Sequence, residues 1–427
     1  MFLLVDDWGW ANLHAHNPTA EVVTPNLDAL MQGGIALDQH YAFQYCSPSR
    51  CALQSGRNPI HVNVLNDDIR NHNEAKDPVG GFQGIPVNMT TIAGKLSQAG
   101  YQCHAAGKWN AGMATKHHTP AGRGYKTALT YFDMDTDYWS EATPGCPGPT
   151  KGEKLLTVDM WDTNGPGLGF NGSRACSQAS QAGCTYQDDV FKARMLGIIN
   201  NHTAADPPLF LFWASHVPHD PYQAPQSYLD KFASITQPER QYYSAMVNVL
   251  DDMVGEVVAA LKAKGIWDNL ILVASSDNGG PIGDGYGANN WPLRGGKSSN
   301  WQGGVRVNAF VTGGFVPPAR RGTTEAGLIE LSDWYTTFCA LAGVDAADPV
   351  AEAAGLFPPD GLNMWPLLSG ANATPPREFV FLGGSDTDPQ SGNTIVQGVI
   401  RSDGYKLLLG KVHNNWWQGP VYPNSTT

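Results

Sequence analysis

The chain of 427 residues contains 27 Lys and Arg residues against 39 Asp and Glu residues, so its formal net charge is −12. Its basic residues form no long block, which argues against nucleic-acid binding, because that function needs a stripe of Lys and Arg. The hydrophobic content of 42% is typical of a globular protein. No apolar run approaches the roughly 18 residues of a membrane span.

Cysteines and glycosylation sequons together favour a secretory compartment, with a lysosomal or extracellular location expected. The Asn-x-Ser/Thr sequons begin at Asn88, Asn171, Asn201, Asn372 and Asn424. Seven cysteines are an odd number. If one is chemically consumed, six remain and would permit three disulfides, of which the short Cys176–Cys184 loop is favoured. The chain opens on a strand-like run, so we expect any signal peptide to lie in a segment that precedes Met1.

Short apolar runs that indicate buried strands alternate with helical patterns through most of the chain. The expected strands are Phe2–Val5, 103–106, 209–214, 270–275 and 308–312. The expected helices are 27–31, 91–99, 240–264 and 333–342, and Thr24, Thr90 and Ser332 are the expected N-caps of the first, second and fourth. The alternation predicts an α/β fold whose large, mostly parallel sheet is flanked by helices.

The pattern changes after residue 371. The stretches 379–382, 396–401 and 405–409 look like short strands joined by polar turns. We therefore expect a large α/β domain over residues 1–371 and a small, mainly antiparallel subdomain over residues 372–427.

Two acidic pairs follow predicted strands, where ligands of open α/β sheets gather. Asp6 and Asp7 follow the first strand, and Asp277 and Asn278 follow the strand 270–275. Three carboxylates and an amide carbonyl would form a hard-oxygen site suited to Ca²⁺ or Mg²⁺. The alternative is that each pair only caps a loop or the next helix.

Cys46 begins the run Cys-Ser-Pro-Ser-Arg, in which Pro48 suits a first helical turn. A helix N-terminus favours an anion through its free N–H groups and its dipole. Arg50, four positions on, would lie on the same helical face and could pair with that anion. The alternative is a structural cysteine or a merely reactive thiol.

The run C-S-P-S-R-x-x-L-x-S-G-R resembles the sulfatase signature, with Ser55 where Thr is usual. F-L-L-V-D-D-W-G-W, T-P-N-L-D-A-L, A-G-Y, G-K-W, H-D-P, S-D-N-G-G and N-N-W-P-L-R-G-G-K also occur in sulfatase order. The likeness covers nearly the whole chain and is strongest to the arylsulfatase B, I and J group, particularly through residues 289–304. It implies the alkaline-phosphatase-like sulfatase fold and a C-terminal subdomain shorter than that of relatives.

The resemblance also implies a role for each matching residue. Cys46 would be oxidised to formylglycine by the formylglycine-generating enzyme and would act as the nucleophile. The implied ligands of Ca²⁺, or possibly of Mg²⁺, are Asp6, Asp7, Cys46, Asp277 and Asn278. The residues implied to hold the nucleophile, the sulfate or the leaving oxygen are Arg50, Lys108, His219 and Lys297. The implied substrate is a sulfated carbohydrate or an aryl sulfate.

The implied chemistry is consistent with these residue types. Fixed cations lower the barrier by stabilising the charge that gathers on the bridging oxygen as the S–O bond breaks. An aldehyde hydrate has two hydroxyls: one attacks sulfur and displaces the alcohol, and the second then loses its proton and expels sulfate. His219 matches the family histidine and can donate a proton to the departing alkoxide, whereas His216 is interpreted as structural.

A second residue departs from the family pattern, and this departure bears on the chemistry. Sulfatases of this group read G-K-W-H, and this chain has Asn110 in place of the histidine. That histidine is assigned to deprotonate the hydrate, and an Asn side chain is not a base near neutral pH. The alternative reading is therefore a sulfatase-like glycan-binding protein with little turnover. A phosphomonoesterase or phosphodiesterase of the same superfamily is a third reading, and the complete C-S-P-S-R context argues against it.

Overall fold

The computed structural model describes residues 1–62, 84–147, 154–167, 169, 175–382, 397–410, 412–421 and 425–426. The sequons at Asn171 and Asn424 lie outside the described residues. Asn88, Asn201 and Asn372 are exposed, as a glycosylated asparagine has to be.

Nineteen strands and ten α-helices are found in this part of the chain. The strands are Phe2–Val5 (β1), Ile35–Leu37 (β2), His40–Tyr41 (β3), Gln102–Lys108 (β4), Thr127–Tyr131 (β5), Ala142–Pro147 (β6), Lys154–Val158 (β7), Trp161–Asp162 (β8), Gly165–Pro166 (β9), Leu209–Ser215 (β10), Leu272–Ser276 (β11), Ala309–Thr312 (β12), Thr323–Glu325 (β13), Ile329–Glu330 (β14), Phe379–Phe381 (β15), Gln397–Arg401 (β16), Lys406–Leu409 (β17), Trp417–Gln418 (β18) and Ser425–Thr426 (β19). The helices are Pro25–Gln32 (α1), Cys46–Ser55 (α2), Ile92–Gln98 (α3), Gln187–Asn201 (α4), Gln226–Leu229 (α5), Pro238–Ala263 (α6), Gln302–Val305 (α7), Asp333–Leu341 (α8), Pro349–Ala353 (α9) and Trp365–Leu368 (α10).

Ten strands form one mixed sheet in the order β13-β2-β12-β11-β1-β10-β4-β5-β8-β9. The five central strands, from β11 to β5, are parallel to one another. On one side β12 pairs antiparallel with β11, and on the other side β8 pairs antiparallel with β5. The predicted α/β class with a large, mostly parallel sheet is confirmed.

Helices cover both faces of the sheet, because alternate residues of its central strand point to opposite sides. Leu3 and Val5 pack into the cluster that contains the apolar residues of α1, α4 and α6. Phe2 and Leu4 pack into the cluster that contains those of α2, α3 and α8. A strand buried on both faces reads as a continuous apolar run, which is the pattern that identified β1 in the sequence.

The predicted helices all occur, but their starts differ in detail. The side chains of Thr24 and Ser332 make no cap hydrogen bond; the Thr24 hydroxyl donates to Asp28, and the Ser332 hydroxyl donates to Glu330. Thr91, rather than Thr90, caps α3 by accepting from the Gly94 N–H. The expected cap at Thr90 is therefore wrong by one residue, whereas Thr24 and Ser332 occupy the predicted N-cap positions but use their hydroxyls on a nearby carboxylate and not on a helix N–H.

β15, β16 and β17 form a separate three-stranded antiparallel sheet, as predicted for the C-terminal part of the chain. Arg377, just before β15, forms a buried ion pair with Asp333 at the start of α8. This contact attaches the small sheet to the large domain. The division at residue 371 stays a prediction.

The predicted Cys176–Cys184 disulfide is present, with an S–S distance of 2.02 Å. Cys51, Cys103 and Cys339 are buried free thiols, so the three disulfides that six cysteines would permit are not formed. These three sit on α2, β4 and α8, in the apolar layer on one face of the sheet, where a thiol packs as a small hydrophobic group. Within the described ranges, no helix is both long enough and apolar enough to span a bilayer.

Gly107 allows β4 to approach β10 closely just before Lys108. Its φ is +101°, and a Cβ there would lie 1.7 Å from the carbonyl oxygen of Ala214. We predict that Gly107→Ala lowers the free energy of unfolding by more than about 2 kcal/mol, because both backbone strain and a backbone clash oppose it.

Gly197→Ala is the matched control, because Gly197 lies in α4 and a Cβ there meets nothing within 4 Å. It should raise stability by about 0.5–1 kcal/mol. Thermal unfolding of both variants is the measurement, and equal midpoints would contradict the role given to Gly107.

Candidate active site

Polar side chains from three strands of the parallel sheet meet at its carboxyl edge. Asp6 and Asp7 follow β1, Lys108 ends β4, and Asp277 follows β11. The register places Val5 beside both Ser215 and Ser276, so these strands end at the same level. The two acidic pairs predicted from the sequence are therefore brought together.

The two pairs contact each other directly across the junction of β1 and β11. The Asn278 side-chain amide donates to Asp7 Oδ1 over 2.6 Å, and the Asp7 N–H donates to Asp277 Oδ1 over 3.3 Å. Asp7 has a φ of +60°, a left-handed conformation that Asp tolerates better than most residues. Tyr243 of α6 supports this turn by donating to the Asp7 carbonyl and accepting from the Gly9 N–H.

Cys46 is the first residue of α2 and points at the acidic cluster. Its Sγ lies 3.3 Å from Asp6 Oδ1, and the residue is 2% exposed. Burial, with Asp277 and Asp6 beside it, raises the pKa of the Cys46 thiol well above its ordinary value. The acidic neighbours therefore outweigh the expected preference of the helix N-terminus for an anion, and an unmodified thiol here stays protonated and weakly nucleophilic.

Arg50 lies one turn along α2, and its described contacts are with the acidic cluster rather than with Cys46. Its Nε and Nη2 donate to Asp277 Oδ2 over 3.1 and 2.8 Å. Its Nη1 donates to the Lys108 carbonyl over 2.9 Å. The guanidinium therefore fixes α2 against β4 and β11.

The remaining part of the Cys46 motif anchors the end of α2. The Ser55 hydroxyl donates to the Cys51 carbonyl over 2.7 Å, a bond that a threonine would also make. Gly56 has a φ of +70° beside the Tyr335 ring, where no Cβ fits. Arg57 is fully buried and pairs with Asp348 over 2.9 Å. These positions of the motif have a structural function.

Two lysines complete the charge of the site. Lys108 Nζ donates to Asp6 Oδ2 over 2.7 Å, and Lys297 Nζ lies 2.7 Å from Asp7 Oδ1. Burial alone would lower both lysine pKa values, but Asp6 and Asp7 outweigh it and raise them. Both amines are therefore ammonium ions at neutral pH.

The carboxylates respond to the same neighbours. Burial would raise the pKa of Asp6, but Lys108, Arg50 and Lys297, joined by His219 when its ring is doubly protonated, hold it well below its ordinary value. Burial and the nearby Asp6 raise the pKa of Asp277 to about 6, although Arg50 opposes them. Three carboxylates and three cations thus share one buried cluster, and their formal charges cancel.

His219 faces this cluster with a defined tautomer. Its Nδ1 lies 2.5 Å from the carbonyl oxygen of Asp220, which can only accept, so Nδ1 carries the proton. Its Nε2 lies 3.0 Å from Lys297 Nζ, which can only donate, so Nε2 accepts. In this arrangement His219 must gain a second proton before it can donate one to a ligand.

His216 lies behind His219 and is completely buried. Its Nδ1 hydrogen-bonds Gln187 over 2.8 Å, and its ring stacks on Tyr138 with centroids 3.9 Å apart. Burial lowers its pKa well below the ordinary value. These contacts agree with the structural role expected for it.

Asn110 bonds the residue that follows Cys46, and both ends of its side-chain amide are engaged. Its Oδ1 accepts from the Ser47 hydroxyl over 2.6 Å, and its Nδ2 donates to the Phe132 carbonyl over 3.4 Å. Neither His117, which is exposed, nor His118, whose Nδ1 bonds the Thr115 hydroxyl, is found in the described contacts of the cluster.

The oxygen donors of the cluster fit a hard divalent cation. Asn278 Oδ1 is buried and has no hydrogen-bond partner within the described part of the chain. Ligand atoms of Asp6, Asp7, Cys46 and His219 all lie within 4.8 Å of one another. An orphaned amide oxygen among three carboxylates is the donor set that Ca²⁺ or Mg²⁺ would satisfy.

Contacts from the C-terminal segment were not foreseen from the sequence. The Asn414 side chain donates to the Lys297 carbonyl over 3.0 Å, and the Gly295 N–H donates to the Trp416 carbonyl over 2.8 Å. A signal for them was absent, because backbone carbonyls leave no trace in composition or periodicity.

Comparison with known proteins assigns the chain to a family. The family model described as Sulfatase matches residues 1–344. Arylsulfatase J of Mus musculus is 29% identical over 431 residues, which cover 98% of this chain and 65% of the relative. N-acetylgalactosamine-6-sulfatase of Canis lupus familiaris is 29% identical over 391 residues, which cover 90% of this chain and 68% of the relative.

A solved structure has the same fold. It is the crystal structure of Ps i-CgsB in complex with k-i-k-neocarrahexaose, 25% identical with a TM-score of 0.75. The match covers 97% of this chain and 85% of that one. The chain thus spans about two thirds of the length of its curated relatives and most of the length of this neighbour.

Proposed function

Because the chain belongs to the sulfatase family, we propose that it hydrolyses sulfate esters at the cluster around Cys46. The supporting observation is that Cys46 begins a helix and faces three buried carboxylates, a buried arginine and two lysines at one edge of the sheet, of which Lys108 is fully buried and Lys297 is 11% exposed. A buried site with fixed cations stabilises the negative charge that develops when an S–O bond breaks.

We propose that Cys46 is oxidised to formylglycine by the formylglycine-generating enzyme. Burial, together with Asp277 and Asp6, raises the pKa of the thiol and makes an unmodified Cys46 a poor nucleophile. An aldehyde hydrate at this position would supply the hydroxyl that attacks sulfur. Asp6, whose Oδ1 lies 3.3 Å from the Sγ, is placed to accept a hydrogen bond from that hydroxyl.

The proposed cation is Ca²⁺, with Mg²⁺ as the second choice, and its ligands are Asp6, Asp7, Asp277 and Asn278 with residue 46. A bound dication would act as a Lewis acid toward the sulfate oxygens. It would also give the charge-balanced cluster a net positive charge, as the binding of an anionic substrate requires.

Lys108, Lys297 and His219 are the proposed sulfate-binding residues. Each ammonium group has three N–H donors. Lys108 uses one on Asp6 in its described contacts, so it retains donors for a sulfate oxygen. His219, once doubly protonated, can donate from Nε2 to the departing alkoxide while its Nδ1 remains fixed to the Asp220 carbonyl.

The proposed substrate is a sulfated carbohydrate or an aryl sulfate, in line with relatives named for arylsulfatase and N-acetylgalactosamine-6-sulfatase activity. The proposed location is the secretory pathway, lysosomal or extracellular. The Cys176–Cys184 disulfide and three exposed sequon asparagines support it.

Protein produced in cells that contain the formylglycine-generating enzyme should hydrolyse 4-nitrophenyl sulfate. Peptide mass spectrometry should find the aldehyde at position 46. Cys46→Ala should abolish turnover while the unfolding temperature stays close to that of the parent. Release of nitrophenol from 4-nitrophenyl phosphate but not from the sulfate, with unmodified Cys46, would refute the proposed activity.

Removal of divalent cations should abolish hydrolysis and lower the unfolding temperature, since an ion that binds only the folded chain stabilises it. Added Ca²⁺ should restore both, and Asn278→Ala should weaken the Ca²⁺ response. Asp268→Asn, an exposed acidic residue away from the cluster, is the control and should respond to Ca²⁺ like the parent. An unfolding temperature indifferent to both chelator and Ca²⁺ would remove the metal assignment.

Asn110→His should raise kcat at least about tenfold, because a general base contributes roughly 10²–10⁴-fold. The backbone at position 110 has a φ of +46°, a conformation in which His, like Asn, is enriched. Asn110→Ala is the control, because it removes the amide without adding a base. With formylglycine content measured in each variant, equal kcat for the His and Ala variants would show that another group takes this proton.

A further inference from the structure

The imidazole of His219 is held by its own backbone, and that backbone is held by a tyrosine. The His219 Nδ1 lies 2.5 Å from the carbonyl oxygen of Asp220, so the direction of the ring depends on where the peptide groups of these two residues lie. The hydroxyl of Tyr138 donates to the carbonyl oxygen of His219 over 2.8 Å. Tyr138 lies in the loop between β5 and β6, so a distant segment fixes the peptide group that carries the histidine.

The ring of Tyr138 is itself fixed in a stack of three rings. Its centroid lies 3.9 Å from that of His216 and 5.0 Å from that of Tyr186, and its plane is 8° from each of theirs. None of the three residues is more than 2% exposed. Because a close-packed interior leaves such a ring little freedom, the position of its hydroxyl is defined.

The Tyr138 hydroxyl is a permanent donor. Burial, with Tyr186 and Asp188 nearby, raises the pKa of Tyr138 well above its ordinary value, so the hydroxyl keeps its proton at any working pH. The bond to the His219 carbonyl therefore persists whatever the protonation state of the imidazole.

Tyr186 makes an equivalent contact farther along the same loop. Its hydroxyl donates to the carbonyl oxygen of Gln223 over 2.8 Å. The side chain of Gln223 accepts from the Tyr138 N–H over 2.8 Å and donates to Asp137 over 2.6 Å. The two tyrosines are thus stacked, buried and bonded to carbonyls of one loop, but only Tyr138 holds the residue that faces the acidic cluster.

We infer that Tyr138 is a positioning residue for His219, which sets the angle at which Nε2 meets the leaving oxygen. This inference rests on the proposed sulfatase function and names the group that aims its proton donor. Misplacing a reacting group by about 1 Å can cost 10²-fold in rate, so a bond two atoms behind the imidazole is close enough to matter. The competing possibility is that the hydroxyl only stabilises the fold.

Tyr138→Phe is the test, because it removes the hydroxyl and keeps the stacked ring. The substrates are aryl sulfates whose phenols range from acidic, as in 4-nitrophenyl sulfate, to weakly acidic, as in phenyl sulfate. A basic leaving oxygen needs the proton more than a stabilised phenolate does. We expect kcat/KM to fall about tenfold for phenyl sulfate and less than about twofold for 4-nitrophenyl sulfate. Slow release of sulfate does not mask this effect, since kcat/KM reports only the steps up to S–O cleavage.

Tyr186→Phe is the matched control, because it removes an equally buried hydroxyl from the same stack. It should lower the unfolding temperature about as much as Tyr138→Phe and leave the ratio of the two kcat/KM values unchanged. In a His219→Gln background, Tyr138→Phe should have no further effect on that ratio, because the two residues act through one proton. A parent-like ratio in Tyr138→Phe, or an equal change in Tyr186→Phe, would overturn the inference.

Nitrogen-15 NMR of histidine-labelled protein separates this inference from the proposed activity. At pH 8, where imidazoles are neutral, the His219 signals, identified by their loss in His219→Gln, should show the proton on Nδ1. Tyr138→Phe should mix the two tautomers, and Tyr186→Phe should not. A protein that releases no sulfate but shows this difference loses only the sulfatase proposal. If that inactive protein shows no difference, the positioning role is overturned as well. In an active protein, an unchanged tautomer and an unchanged ratio overturn the positioning role alone.

Discussion

The structure of the site depends on the mutual compensation of three buried carboxylates and three cations, of which Arg50 and Lys108 are fully buried. An isolated charge at this depth would be strongly destabilising, whereas a paired charge with good hydrogen bonds is tolerated. Each partner comes from a different segment: Asp6 from the end of β1, Lys108 from β4, Arg50 from α2 and Asp277 from β11. The parallel sheet brings these segments to one edge, so the charge balance of the site depends on the fold.

Much of this arrangement could be predicted from the sequence, because local patterns carry it. β1 is a continuous apolar run that ends at Asp6, and Pro48 marks the first turn of α2. What the sequence did not reveal was decided by long-range partners. Arg50 was expected to pair with an anion at Cys46, but its guanidinium bonds Asp277, 227 positions away. The Cys46 Sγ lies 3.3 Å from Asp6 Oδ1 instead. The hydroxyl of Ser332 likewise serves Glu330 rather than its own helix.

The structure shows what the Asn side chain does at position 110. The sequence gives only the absence of the usual histidine, whereas the structure adds that the Asn side chain bridges the Ser47 hydroxyl and the Phe132 carbonyl. The side chain therefore holds the first turn of α2 in place. Position 110 can contribute to the geometry around Cys46 even though an amide cannot accept a proton from a hydrate.

The burial of Cys46 requires that its proposed oxidation to formylglycine precede folding. At 2% exposure, its side chain is out of reach of a modifying enzyme once the chain has folded. The loop that carries Lys297 is held by Trp416, which is synthesised 370 residues after position 46. At a translation rate of about 5–20 residues per second, the nascent thiol has roughly 20–75 seconds before that last support emerges. Slowing translation between these two points lengthens this kinetic window, whereas any change that speeds early closure of the α2 region shortens it.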